Sequence, residues 1–98
     1  MKLKEIFDEL INVAQEAGIT VKKEKGNFRG GYCVINGKEM IVLNKATTLE
    51  TMSSLVAKSL AERAIDNVYI KPVVRDFIEK EKNGLTQLSI EFNLDLLK

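Results

Sequence analysis

The chain has 98 residues and not one histidine. That absence removes the usual general base at neutral pH and the commonest protein metal ligand. Ser-His and Cys-His nucleophile pairs, and an HExxH zinc site, cannot be built from these residues. A single cysteine, Cys33, rules out an internal disulfide and fits a reducing compartment. No apolar run approaches the roughly 18 residues that a membrane-spanning helix requires. Glu5, Asp8 and Glu9 interrupt Met1–Ala17, so the start does not read as a signal peptide. Internal repeats, low-complexity stretches and linkers are also missing. The expectation from these absences is a cytoplasmic protein with no membrane segment, no cofactor, no metal and no catalytic residue, and so not an enzyme.

What is present is an ordinary globular balance, 45% hydrophobic and 30% charged. It fits one domain over residues 1–98. The formal net charge of +1 argues against strong non-specific nucleic-acid binding.

Apolar spacing sets the elements. Leu3, Ile6, Phe7, Leu10, Val13, Ala14 and Ala17 follow the 3,4 pattern of one helix face over 3–17, and Gly18 stops it. Ile19–Lys23 alternates as a short strand. Tyr32–Ile35 and Met40–Leu43 flank Asn36-Gly37, the strongest short hairpin signal, because both turn residues accept positive φ. A two-residue turn pairs Ile35 with Lys38, Val34 with Glu39, Cys33 with Met40 and Tyr32 with Ile41. Ile35, Cys33, Met40 and Val42 then share one face, and Tyr32, Val34, Ile41 and Leu43 the other. Both faces are apolar, so cover is expected on both, from helices or from another subunit. Cys33, between apolar neighbours, reads as a small core hydrophobe.

Thr47 and Glu50 have the spacing of a capping box for a helix over 48–64, with Leu49, Met52, Leu55, Val56, Ser59 and Leu60 inward and Asp66-Asn67 as the break. Pro72 suits the first turn of a third helix, to Lys82, ended by Asn83-Gly84. Over 86–96, Leu88, Ile90, Phe92, Leu94 and Leu96 alternate with Gln87, Ser89, Glu91, Asn93 and Asp95, a long strand with one apolar face. The fold expected is α+β: an N-terminal helix, a small mixed or antiparallel sheet around the Asn-Gly hairpin, two further helices and a C-terminal strand.

Gly26-Asn27-Phe28-Arg29-Gly30-Gly31 invites a phosphate-loop reading but matches neither glycine fingerprint and enters a strand rather than a helix. It reads as a bent connection. Charge is uneven: residues 20–45 hold Lys22, Lys23, Lys25, Arg29, Lys38 and Lys45 against Glu24 and Glu39, leaving +4. Basic residues interleaved with Phe28 and Tyr32 would suit an acidic partner or single-stranded nucleic acid, whereas lysines on strands also serve as edge protection.

Ala17–Glu62, with strands ending near Ile41-Val42-Leu43-Asn44, resembles the core of short zincin-type metallopeptidases of bacterial regulatory systems. There a glycine-containing loop and strands lead into a helix carrying HExxH. Here the matching helix reads Ser54-Leu55-Val56-Ala57-Lys58-Ser59-Leu60-Ala61-Glu62, without either histidine or the glutamate between them. The resemblance implies a degenerate zincin scaffold and carries no metal ligand over. Gly26–Cys33 also resembles small bacterial proteins without an assigned function.

The function expected is a non-catalytic interaction domain that self-associates, a homodimer through the C-terminal strand with a further, unidentified protein partner. Its interaction surface is expected at Lys25, Phe28, Arg29, Tyr32, Leu88, Ile90, Phe92 and Leu94. The alternatives are an enzyme or pseudoenzyme on a zincin-like scaffold, and an anion- or nucleic-acid-binding module using residues 20–45.

Overall fold

The computed structural model describes residues 1–63, 65 and 67–82. The first helix, α1 (Leu3–Glu16), buries Phe7, Leu10, Val13 and Ala14, the stripe that the 3,4 spacing predicts. The Lys2 backbone N–H donates to Glu5 Oε1 at 3.3 Å, which gives the helix start one polar partner. Strand β1 (Thr20–Glu24) follows, then β2 (Gly31–Ile35) and β3 (Lys38–Asn44). Asn36 at φ 52° and Gly37 at φ 78° make the tight turn between β2 and β3. The pairing Ile35–Lys38, Val34–Glu39, Cys33–Met40 and Tyr32–Ile41 is the predicted register.

The order across the sheet is β1-β3-β2, with β3 parallel to β1 and antiparallel to β2. The sheet is therefore mixed, and the last of the three described strands lies in the middle. The chain leaves β1 at Glu24, opposite Asn44, and must round the end of β3 to begin β2 at Gly31, opposite Val42. This gives the glycine-rich segment its task. Gly30 passes so near β3 that a β-carbon there would come 2.7 Å from the Val42 carbonyl oxygen, at a φ of +84°. Only glycine meets both conditions without strain. Asn44, buried at the end of β3, holds the loop from inside: its Nδ2 donates to the carbonyls of Gly26 at 2.8 Å and Phe28 at 2.6 Å, and its Oδ1 accepts from the Ala46 N–H at 3.0 Å.

Helix α2 (Leu49–Ala61) begins one residue later than the capping-box reading requires. Thr48 is the cap, and its Oγ1 accepts from the Thr51 N–H at 3.1 Å. Thr47 is taken up by the turn after β3, its Oγ1 donating to the Asn44 carbonyl at 2.7 Å. The fully buried stripe is Ser53, Val56, Ala57, Ser59 and Leu60, with Leu49, Met52 and Leu55 only partly covered. Small residues at Ser53 and Ala57 let neighbouring elements approach closely. The helix stops at Ala61 rather than at 64, although Glu62 and Arg63 are good helix formers. A tertiary contact of Arg63, described below, accompanies this early end. A third helix, α3, spans 72–82 as Pro72 predicts, with Val74 and Ile78 buried. The Lys71–Glu9 ion pair at 3.2 Å ties the start of α3 to α1.

One core joins the helices to one face of the sheet. It contains Phe7, Leu10 and Ala14 of α1, Ile41 and Leu43 of β3, Val56 and Leu60 of α2, and Ile70, Val74 and Ile78. Of the two faces expected to need cover, from helices or from another subunit, the described helices cover one. On the opposite face Met40, Val42 and Cys33 are half-buried, Ile35 is 51% exposed, and neither Ile35, Met40 nor Val42 packs against the core. Cys33 is thus a surface-layer residue rather than a core one. The helices lie on one side only because α1 meets β1 and α2 meets β3 on the Ile41–Leu43 face. The strand read over 86–96, and the helix stop at Asn83-Gly84, lie outside the described residues.

Candidate interaction edge

β1 and β2 are the two outer strands, so each has one row of backbone N–H and C=O groups without a strand beside it among the described residues. The outer strand β2 is the apolar one. Val34 is 55% and Ile35 51% exposed, and Tyr32 stands at the surface between them and the glycine loop. Alternation sends Tyr32 and Val34 toward the helix side and Cys33 and Ile35 toward the uncovered side.

A polar cluster closes the helix side of β2. The Arg63 guanidinium carbon lies 3.6 Å from the centroid of the Tyr32 ring, stacked on it. Tyr32 Oη donates to Glu39 Oε2 at 2.7 Å. Arg63 Nε stands 2.9 Å from the same oxygen, an ion-pair distance at which its N–H does not aim at the oxygen. The hydrogen bond to the Glu39 carboxylate raises the Tyr32 pKa above its ordinary value; burial adds to this, and the Arg63 charge opposes it. Arg63 and Glu39 also border a cleft with Ala17, Glu62 and Ile65. On the far side of Arg63 a second cleft, of about 140 Å³, runs to Lys82 at the last turn of α3.

The predicted interaction residues separate into three groups. Lys25, Phe28 and Arg29 lie on the loop that rounds β3, all exposed, with Phe28 at 39%. Tyr32 belongs to the β2 edge, where Arg63 already occupies one face of its ring. This leaves less aromatic surface for a stacked base than an exposed tyrosine offers. Leu88, Ile90, Phe92 and Leu94 lie outside the described residues. Sequence reasoning missed Glu39, Asn44 and Arg63. Glu39 was within reach of it, since the hairpin register makes it a diagonal cross-strand neighbour of Tyr32.

Along α2, Ser53 is buried with its hydroxyl unpartnered, and Ser59 Oγ donates to the Leu55 carbonyl at 2.9 Å. No group of three or more cysteine, aspartate or glutamate side chains is gathered as for a metal ion among the described residues, and none of the described helices is long and apolar enough to cross a membrane. Compared with known proteins, the chain matches no family model, no curated protein and no solved structure.

Proposed function

We propose that this chain is a non-catalytic, cytoplasmic interaction domain that works by self-association, its C-terminal segment pairing with the β2 edge of a second copy to give a twofold dimer. The observation that carries the reading is the character of β2: an outer strand of five residues with Val34 and Ile35 more than half exposed and no lysine or proline within it. Such an edge is a template for another strand, and chains that do not use one blunt it with charge. Over 86–96 the sequence alternates apolar and polar residues, the pattern that a partner strand on this edge would need. Exchange of the same element between two copies closes a C2 assembly.

Light scattering on the full-length protein across micromolar concentrations tests this. The expected mass is twice the 11.0 kDa of one chain. The double substitution Val34→Lys with Ile35→Lys is expected to return the mass to that of one chain, with the circular dichroism of the folded protein kept. A wild-type mass of one chain throughout would end the self-association reading. A dimer untouched by the double substitution would place the contact elsewhere than β2.

A further inference from the structure

We infer that the C-terminal segment of the second copy lies along β2 with Leu88, Ile90, Phe92 and Leu94 on the uncovered side of the sheet, continuing the stripe of Cys33, Ile35, Met40 and Val42. This rests on the self-association reading and adds its sidedness. A strand placed beside β2 has two ways to face. Toward the helices it meets the Tyr32, Glu39 and Arg63 cluster, where the Arg63 side chain retains 21% of its surface. Apolar side chains set against that cluster would bury charge without new partners. The polar set of the segment, Ser89, Glu91 and Asn93, suits that side instead, with Glu91 an anion for Arg63. Toward the uncovered side, the neighbours are Cys33 and Ile35 on β2 and Met40 and Val42 on β3, an apolar strip that no described element covers. Val34 is the one apolar β2 residue on the helix side, near the turn.

Two features make the occupant a second copy rather than the chain's own tail. The strand read over 86–96 is about twice the length of five-residue β2, so one sheet edge of this size leaves half of it unpaired. The apolar face it would add widens the uncovered strip beyond what a single chain leaves to water, and two such faces close on one another across a twofold axis.

Cys33, the only thiol in the chain, makes the test clean. One cysteine at a time is introduced into the full-length protein, at Leu88, Ile90 and Phe92 or at Ser89, Glu91 and Asn93, and the proteins are oxidised mildly beside wild type. Directly opposed residues on neighbouring strands lie about 4.5–5.5 Å apart at Cα, within disulfide range. Because strand side chains alternate, the best of Leu88→Cys, Ile90→Cys and Phe92→Cys should couple to Cys33 at least roughly tenfold faster than any of the other three. The product should be a covalent dimer on a non-reducing gel. Faster coupling at Ser89→Cys, Glu91→Cys or Asn93→Cys, still as a dimer, overturns the sidedness and leaves self-association standing. Coupling at the expected positions within one chain overturns the second copy as occupant. No coupling beyond wild type at any position overturns both.

Discussion

β1 and β2 flank the same central strand, yet β1 presents Lys22, Lys23 and Glu24 where β2 presents Tyr32, Val34 and Ile35. Both strands have five residues and both offer an outer row of backbone groups. On β1, a strand added from outside would strip water from lysine and glutamate side chains and gain little apolar contact. Lys23 is already engaged, its Nζ 5.1 Å from the centre of the Phe7 ring. On β2 the same addition would bury Val34 and Ile35 and cost no charge except near Arg63. The difference teaches that edge geometry alone does not make an interaction site; the side chains on the edge decide whether pairing is opposed or invited.

The comparison breaks most completely if β2 is prevented from reaching its place. Gly30→Ala sets a β-carbon against the Val42 carbonyl at a left-handed φ, whereas Gly37→Ala keeps a left-handed φ of +78° with open space around it. The conformational term costs about 1–2 kcal/mol in each case, and the clash adds to it only at Gly30. Urea unfolding is expected to show Gly30→Ala less stable than Gly37→Ala by about 1–3 kcal/mol. Equal losses would mean that the close approach to β3 does not constrain the loop.

A smaller effect should follow from making the two edges alike. Lys22→Val with Glu24→Val gives β1 an apolar outer strand. Sedimentation velocity is expected to show species larger than those of the wild type, from roughly 1.4 kcal/mol of added association per contact, about tenfold in affinity. A variant that sediments as wild type would show that charge is not what keeps β1 unpaired.

The smallest effect concerns the polar seal on β2. With Tyr69→Phe, Tyr32 is the sole tyrosine and its phenolate absorbance can be followed alone. Its raised pKa means that the folded state favours the protonated phenol. That contribution is present below the unfolded value of about 10 and is lost as pH rises through the folded one. Glu39→Gln is expected to shift the titration midpoint downward by removing the carboxylate acceptor. An unmoved midpoint would separate Tyr32 from Glu39 in solution.

How much of this could be read from sequence depends on the span of the interaction. The hairpin register was legible pair by pair because Asn36-Gly37 fixes the turn and the turn fixes the pairing. The α1 stripe and the Pro72 start of α3 were legible for the same local reason. The parallel β1–β3 pairing was not, because nothing near Val21 specifies Ile41 as its neighbour. Asn44 looked like a strand end, and its two loop carbonyls are 16 and 18 residues away. The early end of α2 was hidden because Glu62 and Arg63 favour helix locally, while Arg63 meets Tyr32 across the fold. On the candidate edge, the exposure of Val34 and Ile35 followed from where the helices landed, which the pattern of β2 alone does not contain.

The central place of β3 has a consequence in time. During synthesis α1 and β1 emerge before β2 and β3, and β1 lacks its β3 partner until residue 44 has been made. For that interval β1 is a strand sequence exposed on both edges, and its lysines and glutamate keep it from pairing with other nascent chains. β2 needs no such guard, because its partner follows after a two-residue turn and the hairpin closes at once. The charge on one outer strand and the apolar surface on the other thus match the order in which the ribosome delivers them.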